Sequence, residues 1–147
     1  MTLMVVERYD PVLRECARVL SPGGVLAVTV SSTVPLRASD VGLLTRVMAR
    51  LRSVPRFPGG SELTGLRDAL DDNRFRLLED ARERFAFAVH GRPDADLLVR
   101  SLYLPGTADR RRAAAAAYLA QRATETDGPV DVPIPIRRVV AVRRDTP

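Results

Sequence analysis

Asp10-Pro11-Val12-Leu13-Arg14-Glu15-Cys16-Ala17-Arg18-Val19-Leu20-Ser21-Pro22-Gly23-Gly24-Val25-Leu26-Ala27-Val28-Thr29-Val30 reads as a helix, a sharp turn and a strand in immediate succession. Asp10 is a good N-cap, and Pro11 suits the first helical position, where its missing N–H costs nothing. Val12, Leu13, Cys16, Val19 and Leu20 then recur at helical spacing, which predicts an amphipathic helix of about ten residues. Ser21-Pro22-Gly23-Gly24 ends it, because Pro22 cannot continue the hydrogen-bond ladder and the glycines accept positive φ. Val25 to Val30 is a nearly unbroken apolar run, the pattern of a strand covered on both faces inside a sheet.

Downstream, Val41, Leu43, Leu44, Val47, Met48 and Leu51 give a second helical stripe from Ser39 or Asp40 to about Arg52. Pro55, Pro58, Gly59 and Gly60 mark a loop, after which Ser61 is expected to cap a shorter helix carrying Leu63, Leu66, Ala69 and Leu70. Arg76-Leu77-Leu78 leads into a strand over Arg84 to His90, where Phe85, Phe87 and Val89 alternate with smaller or polar residues. Asp94 to Tyr103 reads as a helix with Asp94 as its cap. Thr107 is expected to cap another, from Ala108 to about Thr124, in which the run Ala113 to Ala117 points to close helix packing. Asp127-Gly128 signals a turn. Val132-Pro133-Ile134-Pro135-Ile136 then approaches in extended form, and Arg138 to Arg143 makes the last strand.

The 147 residues fit one domain able to bury a core without disulfides, and the 46% hydrophobic fraction agrees with a globular chain. Cys16 is the only cysteine, so neither a disulfide framework nor a cysteine-rich zinc site is available within the chain. No metal site is expected. The N-terminus lacks the pattern of a secretory signal, and no apolar run approaches the roughly 20 residues that cross a bilayer, so a cytoplasmic location and no membrane association are expected. All 23 basic residues are arginine, and the net charge is +5. They are scattered, with Arg110-Arg111-Arg112 the only run of three and no aromatic interleaving. A solvated face is favoured over nucleic-acid binding.

The segment Arg18 to Gly24 ahead of an apolar strand resembles the helix, Pro-Gly-Gly turn and fifth strand of class I S-adenosylmethionine-dependent methyltransferases. The order helix, strand, inserted helices, strand, helices, final strand carries the resemblance to that family's C-terminal half through nearly the whole chain. Phe75-Arg76-Leu77-Leu78, the helix start at Asp94-Ala95-Asp96 and a terminal strand ending in arginines add weaker support. The resemblance implies an α/β fold: a truncated Rossmann-like methyltransferase domain over residues 1–147, with a mixed sheet in the strand order 5-7-6, strand 7 antiparallel, and helical lid insertions at 39–72. Val25 to Ser31 would be strand 5, Arg84 to His90 strand 6 and Arg138 to Arg143 strand 7.

In the family the glycine-rich cofactor loop precedes the matched segment, whereas here nine residues do. Neither Gly23-Gly24 nor Gly59-Gly60 is expected to follow a strand and open a helix, as a cofactor loop must. S-adenosylmethionine binding is therefore expected only if a partner chain supplies the first half. Loss of strand 4 would leave the edge of strand 25–31 unpaired, which implies a homo- or hetero-oligomer through that edge.

Ligands in open α/β sheets lie beyond the carboxyl ends of parallel strands. On the implied topology that rim holds Ser31, Ser32 and His90, with Glu7 and Tyr9 nearby and Tyr103 approaching from the lid. His90, the only histidine, is the candidate general base, or else a strand-end histidine bonded to a loop carbonyl. Ser31 and Ser32 are candidate ligands for a substrate hydroxyl or carbonyl, or strand-ending residues bonded to the local backbone. Glu7, Tyr9 and Tyr103 are candidate substrate contacts, with a surface ion pair for Glu7 and amphipathic packing for the tyrosines as the alternatives. The expected function is that of a methyltransferase-like subunit acting on a small molecule of the quinone or natural-product type. The alternatives are a cofactor-free cyclase or isomerase on a degenerate methyltransferase fold, and a non-catalytic pseudo-methyltransferase partner.

Overall fold

Helix α1 spans Asp10–Val19 and strand β1 spans Val25–Ser31 in the computed structural model, which describes residues 3–126 and 128–144. The predicted Asp127-Gly128 turn therefore lies partly outside the described residues. A short 3-10 turn, Leu3–Val5, precedes α1. After β1 come α2 (Ala38–Leu51), α3 (Leu66–Asp72), β2 (Phe75–Val89), α4 (Arg92–Ser101), α5 (Asp109–Glu125) and β3 (Val130–Arg143). The protein is of mixed α/β type, with one three-stranded sheet in the order β1-β3-β2 among the described residues.

β1 runs antiparallel to β3, with Val25 opposite Val142 and Ser31 opposite Ile136. β2 is antiparallel to β3 as well: partners on the β3 side fall from Arg144 to Arg138 to Arg137 as those on the β2 side rise from Arg74 to Glu79 to Asp80. Backbone direction alternates along β3. Arg143 exchanges hydrogen bonds with Gly23 and Gly24, and Pro135 accepts one from Ser32, whereas Arg144 donates to Arg74. Odd-numbered residues of β3 thus face the β1 side, where Pro135 sits one step beyond the last pair, Ser31–Ile136. Its missing N–H removes a bond that β1 does not need, and this is how a central strand tolerates proline.

Several local expectations give way to longer-range contacts. β1 is covered on one face only: Leu26, Val28 and Val30 turn inward, while Val25, Ala27 and Thr29 are exposed. Among the described residues it is an edge strand, covered on one face and not on two as its apolar run suggests. Arg76 to His90 is not a lead-in and a strand but the single long β2, ending at Val89. Tyr9, not Asp10, occupies the N-cap of α1, and its carbonyl accepts the Leu13 N–H at 2.9 Å. Ser61 caps nothing, since Glu62 and Leu63 lie in the left-handed region (φ 67° and 46°) and α3 begins only after Gly65. Asp94 sits in the first turn of α4 rather than at its cap, and accepts the His90 N–H at 2.9 Å. Thr107 is replaced as cap by Ala108. There the Arg112 guanidinium does the closing, donating to the carbonyls of Leu104 (2.6 Å), Thr107 (3.3 Å) and Val99 (3.4 Å).

The chain divides into two compact units. Unit 1 comprises residues 1–35, 57–83 and 135–147, and unit 2 comprises 36–56 and 84–134. In unit 1 the 3-10 turn packs on β1 and α1 packs on α3, closing a core of Leu3, Met4, Leu13, Val30, Leu66, Leu70, Phe75 and Val139. In unit 2 α5 packs against both α2 and α4 around Val47, Leu51, Leu98, Val99, Ala115, Ala116 and Leu119. Of the alanine run, Ala115 and Ala116 pack into this core, while Ala113, Ala114 and Ala117 are exposed. The helix α2 belongs to unit 2 and α3 to unit 1.

One polar atom in unit 2 carries a prediction. The Tyr118 hydroxyl is shielded from solvent and has no hydrogen-bond partner among the described residues, while its ring is held by the Arg50 guanidinium 3.8 Å above the centroid. A buried unpaired hydroxyl costs about 1–3 kcal/mol. Tyr118→Phe keeps the ring and the stacked cation, so a gain of about 1 kcal/mol is expected, read as a higher urea midpoint at unchanged slope. A lower midpoint would show that the hydroxyl is paired.

Candidate functional site

Glu62 stands at the centre of a charged ring in unit 1. Its left-handed backbone is pinned from two sides: its N–H donates to the Ser31 carbonyl at 3.2 Å, and its own carbonyl accepts from the Arg137 guanidinium. Arg137, on β3, is 8% exposed and forms a two-point pair with Asp80 of β2, at 2.7 and 2.8 Å. Arg82, two residues further along β2, reaches Glu62 at 2.9 Å and Asp80 at 3.5 Å. The ring closes through Glu62 carboxylate, Arg82, Asp80, Arg137 and the Glu62 carbonyl. Two guanidiniums balance two carboxylates in it.

The remaining oxygen of Glu62 accepts the Ser32 hydroxyl and the Thr33 N–H, the latter at 2.9 Å. Burial alone would raise the Glu62 carboxyl, but Ser32, Thr33 and Arg82 together hold it below the usual glutamate range. Asp80 is held low by its bond to Arg137, against the opposing effect of burial. Both groups stay ionised at neutral pH and are weak bases. They serve to hold and orient rather than to move protons.

Over this ring opens a depression of about 660 Å³, whose walls include Thr33, Thr64, Arg67, Arg82 and Arg137. Its size suits a small molecule. The exposed donors are guanidiniums and hydroxyls, which match carbonyl or carboxylate oxygens on a ligand.

Ser32 and Tyr9, both anticipated, meet this site through one segment. Ser32 is 8% exposed and bonds Glu62, and the Tyr9 hydroxyl donates to the Thr64 carbonyl at 2.8 Å. Burial, and secondarily Asp10, raise the Tyr9 phenol, so it remains a donor. Ser31 contributes its carbonyl to Glu62, and Glu7 is exposed. His90 and Tyr103 belong to unit 2. The His90 side chain is 69% exposed, with Nδ1 3.2 Å from Asp94, whose carboxyl is lowered chiefly by the His90 backbone N–H. Tyr103 is exposed and lines a shallow depression together with Arg100 and Asp109. The residues missed from the sequence are Glu62, Asp80, Arg82 and Arg137. The available signal was the acidic pair Glu79-Asp80 and the basic pair Arg137-Arg138, which face each other in the same register.

No family model matches the chain, and no curated protein matches it. Among solved structures it is similar to the YcgJ protein from Bacillus subtilis, with a TM-score of 0.47 and 14% sequence identity over 98% of this chain and 61% of that one. The chain thus spans less than two thirds of that protein's length.

Proposed function

We propose that the chain is the substrate-side half of a methyltransferase-like enzyme of small-molecule metabolism, acting with a partner chain that carries the S-adenosylmethionine loop. The observation that carries this reading is the sheet order. β1-β3-β2, with β3 antiparallel to β1 and β1 entered from α1 through Ser21-Pro22-Gly23-Gly24, agrees with strands 5-7-6 of a Rossmann-like methyltransferase whose strand 7 is reversed.

The residues of this chain do not fit the cofactor. Gly23-Gly24 joins a helix to a strand, and Gly59-Gly60 joins two helices; neither follows a strand and opens a helix. Each glycine is also accounted for by packing or turn geometry. A Cβ on Gly24 would meet the Ser21 carbonyl at 2.7 Å and one on Gly59 the Val6 carbonyl at 2.6 Å, while Gly23 and Gly60 have φ of 76° and 81°. The contribution of this chain is the substrate rim, with Arg82, Arg137, Thr33 and Thr64 orienting oxygen-bearing groups of a quinone-like or natural-product ligand.

Among the described residues β1 has a neighbour on one side only, which leaves its outer backbone groups to a strand from a second copy or a companion chain. That edge also favours a second reading, a non-catalytic pseudo-methyltransferase that stabilises an active relative. Calorimetric titration with S-adenosylmethionine tests the main reading: the isolated chain is expected to give no saturable heat, and a mixture with a co-purifying companion is expected to bind. Tight binding by the isolated chain would overturn it. Turnover by the mixture that survives His90→Ala, Ser32→Ala and Arg82→Ala in this chain would favour the second reading.

A further inference from the structure

We propose that unit 2 carries a separate ligand site, an anion pocket beside α2 and α5 that takes a small organic phosphate or carboxylate with an apolar body. A cavity of about 490 Å³ is lined there by four arginines, Arg37, Arg46, Arg84 and Arg122, against two carboxylates, Asp40 and Asp131. The size lies within the range of small-molecule sites. Arg84 is committed to Asp40 at 2.7 and 2.8 Å, and Arg122 reaches Glu125 at 3.2 Å. Arg37 and Arg46 have no ion pair among the described residues.

Four guanidiniums against two carboxylates leave the wall net positive, with Asp131 the one carboxylate on it that has no ion pair among the described residues. Guanidinium forks match the paired oxygens of phosphate and carboxylate, and Arg37 and Arg46 are the forks on this wall left free to take them. Leu43, Val130 and Tyr118, whose ring Arg50 stacks on, line the same cavity. This combination of guanidinium and apolar lining favours an anion attached to a flat or aliphatic body over a bare inorganic ion.

Calorimetric titration of the full chain at low ionic strength, with phenyl phosphate, inorganic phosphate and phenol as probes, tests the site. Saturable one-to-one binding of phenyl phosphate is expected, with inorganic phosphate weaker and phenol silent. Arg46→Gln and Arg37→Gln should each weaken it at least about tenfold, because each removes one charge-assisted contact. Both side chains are exposed, so thermal melts of these variants should match the parent. Arg76→Gln, which removes the same charge from an exposed position in unit 1, should leave binding unchanged. An absence of saturable heat, or equal weakening by Arg76→Gln and Arg46→Gln, would overturn the proposal, the latter by showing attraction to net charge alone.

Discussion

Arg137→Ala is expected to destabilise unit 1 by about 4 kcal/mol, because it strips one partner from a nearly buried ion pair. Three groups lose their bond at once: both oxygens of Asp80 and the carbonyl of Glu62. Asp80 keeps only the 3.5 Å contact to Arg82, and the left-handed turn at Glu62 and Leu63 loses the donor that holds it. Arg137→Lys should recover only part of the loss, since an ammonium cannot span both carboxylate oxygens in the geometry of the fork. Urea denaturation followed by far-UV circular dichroism measures both. If alanine cost less than about 1 kcal/mol, the ring would be no more than a surface pair.

Asp40→Asn is expected to cost about 3 kcal/mol in unit 2 at neutral pH, by leaving Arg84 without its counter-charge. Asp40 is 4% exposed, bonds Arg84 at two points and accepts the Arg37 N–H at 2.8 Å, at the start of α2. The Arg84 bond is the main cause that brings its carboxyl down from 3.8 to about 2; burial opposes it, and the Arg37 N–H assists. Because the folded value lies below the unfolded one, this carboxylate contributes its full stability above about pH 3.8 and loses it as the pH falls toward about 2. The gap between parent and Asp40→Asn should therefore be constant from neutral pH down to that window and close within it. Urea midpoints of the two proteins measured in parallel across the range would show this. A gap that closed around neutral pH would point to a different titrating group.

What was legible in the sequence was local. The helix, turn and strand from Asp10 to Ser31 follow from apolar spacing, a proline-glycine break and an apolar run, all within a few residues of one another, and the structure places α1 and β1 on that stretch. The full lengths of β2 and β3 were hidden for opposite reasons. Glu79 to Arg84 looks too charged for a strand, yet its charges are answered across the sheet by Arg137 and Arg138. Pro133 and Pro135 look like breaks, yet Pro135 faces a side where no donor is needed. The Glu62 turn was hidden most completely, because Arg137, the residue that holds it, lies 75 positions away. Ser32 and Tyr9 came out of a rim argument and do touch that segment, whereas the charged groups that organise it have no short-range signature.

The placement of Pro135 says something about where a strand can end. Ser32-Thr33-Val34 is respectable strand sequence, rich in residues that suit a pleated surface. Continued pairing of β1 would set Ser32 against Pro135 and Val34 against Pro133, and neither proline has a hydrogen to offer in return. The stop signal for β1 is thus written in the covalent structure of its neighbour. Substitutions that raise the strand propensity of residues 32–34 would gain no ladder, and exchanging Pro135 for valine would complete the pair at Ser32 but leave Pro133 to stop the next.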